Sequence, residues 1–123
     1  MVTIGAVTFD CEDAATLAAF WAAALDWGVA PGATEEIAMV GGPNRPAGAP
    51  SLLFLRVPEA KQAKNRNHLD LHTEDLDAEV SRLVGLGASV VHEKFEWGVH
   101  WKTLADPEGN EFCVVEDQPP AAT

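Results

Sequence analysis

The chain has 123 residues, 47% of them hydrophobic, and a formal charge of −11 at neutral pH. That length supports one hydrophobic core without disulfide or metal staples, and the acidity argues against nucleic acid and anionic membrane surfaces, both of which are held by Lys and Arg. The charge suits a cationic or neutral small ligand, and it equally serves solubility alone.

No run approaches the roughly 20 consecutive apolar residues of a membrane span. Met1 leads into a strand pattern with no basic segment and apolar signal before it, so the expected location is the cytoplasm.

Thr3 to Asp10 alternates Ile4, Val7 and Phe9 with small or polar residues and reads as a strand. Asp13 then offers an N-cap for a helix from Ala14 to about Asp26, where Leu17, Phe20, Trp21, Ala24 and Leu25 recur at three and four residues. That stripe reads as core, although Phe20 and Trp21 could also line a cavity. Gly28 and the Pro31-Gly32 pair end the helix. Glu35 to Gly41 is a short strand, and the Gly- and Pro-rich stretch after it is a loop, either a lip over a pocket or an ordinary connection. Ser51 to Val57 is almost continuously apolar, as in a strand buried on both faces or crossing a subunit interface.

The following connector carries Lys61, Lys64 and Arg66, which could receive an anionic group of a ligand or pair with the acidic body. Next comes NRNHLDLHTED, Asn65 to Asp75. Leu69 and Leu71 fall on one face of an extended segment and His68, Asp70 and His72 on the other, so one face wants a core and the other carries chemistry. Thr73, Glu74 and Asp75 cap a helix with apolar positions Leu76, Val80, Leu83 and Val84, which Gly85 and Gly87 end. A strand from Ala88 to His92 leads to FEWGVHW, Phe95 to Trp101, where Trp97, His100 and Trp101 serve either a pocket wall or a core. Asp106 to Asn110 is a turn, Glu111 to Glu116 the last strand, and residues 118–123 a frayed tail.

Two segments repeat. VTFDCED at Val7 to Asp13 and LDLHTED at Leu69 to Asp75 are each an alternating strand ending in Glu-Asp before a helix, which marks one unit per half of the chain. Ala6 then takes the place in the first half that His68 has in the second. Cys11 and Cys113 match no metal or redox spacing and read as small buried residues.

The helix ending LVGLGA, the strand KNRNHLDL and the segment DPEGNEFCVVE give the chain a resemblance to the vicinal oxygen chelate superfamily, in particular its glyoxalase-like, bleomycin-resistance-type members. The resemblance spans Ile4 to Glu116. It implies an α+β fold in a single domain over residues 1–123, built of two βαβββ modules whose curved mixed sheets surround a shared cavity, commonly in a homodimer. Module one would take in residues 2–58, the connector 59–65 and module two 66–117.

Enzymes of the superfamily hold a divalent metal with ligands from the first and last strand of each module. Carried over residue by residue, the second-module histidine falls on His68, its first-module counterpart on Ala6, and the final-strand glutamate on Cys113; Ser51 to Val57 contains no carboxylate. The metal set is thus reduced to His68 and an atypical Cys113, and no cofactor is expected. His68, Asp70 and His72 with Glu111 offer a displaced site, against which side chains two apart on a strand stand roughly 7 Å from each other.

Three functions follow. The first is binding of a small aromatic or cationic molecule in a cavity lined by His68, Asp70, Trp97, His100 and Trp101. The second is a glyoxalase-type lyase or isomerase, working through a metal or with His68 or His100 as general base beside Asp70. The third is a dimeric interaction module, with Ser51 to Val57 and the connector forming the interface.

Overall fold

A computed structural model describes residues 1–42 and 45–117; the tail at 118–123 and residues 43 and 44 of the Gly/Pro loop lie outside the described residues. The elements are β1 (Ala6–Cys11), α1 (Ala14–Leu25), β2 (Gly28–Val29), β3 (Ile37–Gly41), β4 (Ser51–Arg56), β5 (Asp70–Thr73), α2 (Leu76–Leu86), β6 (Ser89–Glu96), β7 (Val99–Ala105) and β8 (Glu111–Glu116). This is βαβββ twice, an α+β fold, and the chain divides into compact units at residues 1–62 and 63–123.

In the first unit the sheet order is β1-β4-β3-β2. β1 runs parallel to β4 and the remaining pairs are antiparallel. The helix covers one face of this sheet with Leu17, Phe20, Trp21 and Ala24, all buried. Phe9 stands between Trp21 and Phe54, with ring centroids 5.8 and 5.2 Å away. Phe20 and Trp21 are therefore core. Asp13 caps α1 by accepting from the Thr16 N–H at 3.1 Å.

The helix ends earlier than Gly28, at Asp26, whose φ of 55° puts it in the left-handed region that Asp tolerates better than most residues. β1 begins at Ala6 rather than Thr3, because its register starts with Ala6 opposite Ser51 and Thr3 has no strand to pair with. The Gly28–Val29 strand, short and glycine-led, was not legible from the pattern.

The second unit repeats the plan with sheet order β5-β8-β7-β6 and a parallel β5–β8 pair. Asp75 caps α2 through the Ala78 N–H at 3.1 Å, and Leu76, Val80 and Leu83 bury against Leu104, Phe112 and Val114. Gly85 lies inside the helix; the left-handed stop is Gly87, at φ 125°. β6 runs on to Glu96, four residues beyond the expected end, because it pairs with β7 along its whole length apart from a bulge at Val91.

The turn before β8 is organised by Asp106, which is 3% exposed. Its carboxylate accepts from the backbone N–H groups of Glu108 and Asn110 at 2.9 and 3.0 Å and from the Asn110 side-chain amide. Asp106→Ala leaves these donors without their acceptor and is expected to cost about 3 kcal/mol, read as a lower midpoint in urea unfolding. A loss within experimental error would show that the turn forms without this carboxylate.

Candidate functional site

Side chains alternate across the second sheet, and the face turned away from α2 forms a half-open cavity of about 540 Å³ whose lining comes entirely from the second unit. β5 and the residues before it contribute Lys64, His68, Asp70 and His72. From the β6–β7 hairpin come His92, Trp97, Val99, Trp101 and Thr103, and from β8 Glu111, Phe112, Cys113 and Val115.

The connector is held against the start of β8 by Asn65. Its side-chain oxygen accepts from the Glu111 N–H at 2.8 Å, and its amide donates to the Glu111 carbonyl at 3.1 Å and to the Asn67 carbonyl. A side chain here imitates a strand partner, and this carries Lys64 to the Glu111 carboxylate, 2.8 Å from Nζ to Oε2.

On the floor, the parallel register puts Asp70 opposite Cys113. His68 precedes the regular strand, so the 7 Å spacing of strand neighbours does not bind it, and its Nε2 lies 3.2 Å from Asp70 Oδ1. Cys113 Sγ is 3.4 Å from Thr103 Oγ1. Burial, opposed by that hydrogen bond and reinforced by the charge of Asp70, pushes the Cys113 thiol up from its ordinary pKa, so it stays protonated at neutral pH. It is not an activated nucleophile. His72 Nδ1 meets Asp117 Oδ1 at 3.1 Å.

At the mouth, the hairpin closes through Trp97 and Gly98, with φ of 54° and 73° and Glu96 paired to Val99. Two consecutive positive φ values suit Asn-Gly; a tryptophan in the first position carries a steric cost of roughly 1–2 kcal/mol. Trp97 as a residue is 86% exposed, yet its ring lies parallel to that of Trp101 with centroids 6.1 Å apart and 9° between planes.

Of the residues expected to line the cavity, His68, Asp70, Trp97 and Trp101 do so and His100 does not. His100 alternates with Trp101 and so points to the opposite face. There its Nε2 meets Glu93 Oε2 at 2.5 Å and its Nδ1 meets Glu116 Oε2 at 3.0 Å, with Phe95 against the ring. It is an ion-paired residue of the opposite face and, contrary to the expectation from sequence, does not reach this cavity. His92, which the sequence reading passed over, takes a place on the wall because the bulge at Val91 shifts the register of β6. Thr103 and Val99 were legible, standing two residues either side of Trp101.

A family model described as a glyoxalase-like domain matches residues 6–115. The chain belongs to the glyoxalase-like domain family. Similar folds include a glyoxalase/bleomycin resistance protein/dioxygenase family enzyme from Burkholderia phytofirmans, 14% identical over 94% of this chain and 98% of that one, with a TM-score of 0.74. A lactoylglutathione lyase from Agrobacterium tumefaciens is 17% identical over 94% of both chains, with a TM-score of 0.64. The bleomycin resistance determinant encoded on transposon Tn5 is 16% identical over 96% of this chain and all of that one, also with a TM-score of 0.64. At these identities the likeness is one of fold. No curated protein matches the chain by sequence.

The glyoxalase-like fold raises the question of its divalent metal, and the donor chemistry does not fit the oxygen- and imidazole-rich set that the resemblance implies. Ala6 offers no donor atom, β4 carries no carboxylate, and a thiol stands at Cys113 where a glutamate would. What the second unit does assemble is His68, Asp70 and Cys113, with one ligand atom of each within 4.8 Å of the others.

Two outcomes are expected from this geometry. Trp97→Asn relieves the left-handed strain and should raise the melting temperature by a few degrees, equivalent to about 1 kcal/mol; an unchanged or lower value would show that the stacking on Trp101 outweighs the strain. His100, hydrogen-bonded first to Glu93 and then to Glu116, has its pKa raised above 6.5. Its contribution to stability is fully present below the unfolded value near 6.5 and is lost as pH rises through the folded value. Melting curves between about pH 6 and pH 8.5 should therefore fall less steeply for His100→Gln than for the parent, and equal slopes would remove the effect.

Proposed function

We propose that this glyoxalase-like protein binds a small planar aromatic or cationic molecule in the cavity of its second unit, without needing a cofactor to do so. The observation that carries the reading is the parallel Trp97–Trp101 pair at the mouth, a flat apolar surface that the hairpin keeps in solvent against a backbone cost. Offset stacking on such a pair contributes about 0.5–1.5 kcal/mol beyond the area buried, and a cation over an indole contributes a similar amount. Below it Asp70, Glu111 and Thr103 can accept hydrogen bonds and His68, Lys64 and Thr103 can donate them, which fixes a ligand's orientation. The volume of about 540 Å³ is in the range of small-molecule sites.

A second reading, a lyase or isomerase using His68 as general base, is supported by the His68–Asp70 pair. With Nε2 facing Asp70, the carboxylate can orient the ring and stabilise its protonated form while Nδ1 meets a substrate. Neither the protonated thiol nor the depleted metal set adds to it, so binding is the stronger reading.

A panel of planar aromatic and cationic compounds is the test. A true ligand should quench tryptophan fluorescence and, at about 100 times its Kd, stabilise the fold by about 2.7 kcal/mol. Trp101→Ala should weaken its binding about tenfold or more. Failure of every compound both to quench and to stabilise would end the binding reading; turnover of an α-carbonyl substrate that His68→Ala abolishes would favour the enzyme.

A further inference from the structure

On the sheet face opposite the cavity, His100 meets a carboxylate at each ring nitrogen. Nε2 lies 2.5 Å from Glu93 Oε2 on β6 and Nδ1 3.0 Å from Glu116 Oε2 on β8, while Phe95, its cross-strand partner, stands against the ring. One side chain of β7 thus ties three strands together. A neutral imidazole has a single N–H and turns a lone pair toward one of the two carboxylates, so only the imidazolium satisfies both contacts. Glu93 and then Glu116 raise the pKa of the ring above 6.5 accordingly. No neighbouring charge substitutes for it. Lys102, next on the same face of β7, is turned to Asp77 of α2 at 3.4 Å, and β5 brings only the uncharged Thr73 beside Glu116. Lys94 and Glu96 of β6, 3.9 Å apart, pair with Trp101 and Val99 on the cavity side.

This tie lies directly below the turn that holds Trp97. Phe95 pairs with His100 and Glu96 with Val99, so β6 becomes the turn two positions beyond the ring. There Trp97, at φ 54°, adopts a backbone conformation that L side chains disfavour, and its indole reaches that of Trp101, the residue after His100. A turn biased to relax needs something to hold it. We propose that protonated His100 is a strut that fixes the β6–β7 hairpin to β8 and so keeps Trp97 stacked on Trp101, and that its deprotonation opens the mouth of the cavity. The sign follows from the raised pKa: the strut is complete below the unfolded value near 6.5 and is lost as pH rises through the folded value. A planar ligand held by both indoles therefore binds less tightly at high pH. That consequence rests on the ligand reading above, whereas the strut itself is read in the free protein. His100 is in this sense a positioning residue, which touches no ligand and acts through Trp97.

The test is proton NMR of the ligand-free, full-length protein between about pH 6 and pH 8.5, with the His100 imidazole signals giving its own midpoint. Overhauser contacts between the Trp97 and Trp101 rings should be present at the low end and lost at the high end, with the His100 midpoint. His100→Gln, which carries no charge, should lack them throughout. Glu93→Gln, which removes one of the two carboxylates, should move their loss to lower pH together with the His100 midpoint. Contacts that persist at both ends in the parent overturn the strut. So do contacts that His100→Gln retains at the low end, because any pH dependence would then belong to His68, His72 or His92, which line the cavity itself. Coumarin, planar, neutral and without a titrating group, separates this inference from the ligand reading. Its Kd, followed by tryptophan quenching, should rise about fivefold or more from the low to the high end in the parent and stay constant in His100→Gln. An equal Kd at both ends, in a protein whose indole contacts titrate, overturns the link to binding. Failure of coumarin to bind at any pH counts against the ligand reading alone, since the indole contacts decide the strut without a ligand.

Discussion

The register of the parallel β5–β8 pair governs the second unit. It sets Asp70 opposite Cys113 and His72 opposite Val115 on the cavity face, while Val114 goes to the helix side with Phe112. A slip of one residue would exchange the two sets, putting Val114 in the cavity and Cys113 under α2. The register is fixed from both ends. Cys113 N–H donates to Leu69 at 2.9 Å and Asp117 N–H to Thr73 at 2.8 Å, while the Asn65 amide pairs with the Glu111 backbone and the Asp106 turn sets where β8 begins. A site of half-exposed side chains is thus positioned by hydrogen bonds of the backbone, which are cheaper to keep rigid than long side chains.

Much of this was legible in the sequence. Asp13 and Asp75 announced the two helices, the Asp-Pro-Glu-Gly-Asn turn and final strand were readable to the residue, and the alternation around Leu69 and Leu71 assigned His68, Asp70 and His72 to one side. The failures have definite causes. His100 was grouped with its aromatic neighbours by proximity in sequence, whereas strict alternation from Trp101 would have sent it to the other face. His92 could not be placed, because the bulge at Val91 changes the register without a glycine or proline to mark it. The role of Asn65 depends on a partner 46 positions away, a distance at which periodicity carries no information.

Floor and mouth of the cavity differ in what they offer a ligand. Polar groups on the floor are already engaged: Lys64 with Glu111, His68 with Asp70, His72 with Asp117 and Cys113 with Thr103. A ligand must replace those partners with others of equal quality, which yields discrimination between ligands more than net affinity. The indole surface at the mouth has water as its competitor, and covering it is favourable without a matching loss.

That difference also weighs aromatic character against charge in the ligand. The net charge of −11 suggests attraction of cations, but the carboxylates lining the cavity, Asp70 and Glu111, each face a basic side chain, and the remaining acidic residues act through solvent. At physiological ionic strength such charges are screened beyond about 8 Å. A cation would therefore gain chiefly from the faces of Trp97 and Trp101, at short range, and a flat neutral ring would gain from the same faces with no charge to desolvate. If the cavity takes the ligand proposed for it, planarity is the property on which its indole pair would select, and the acidic surface would add to the rate of encounter more than to the affinity.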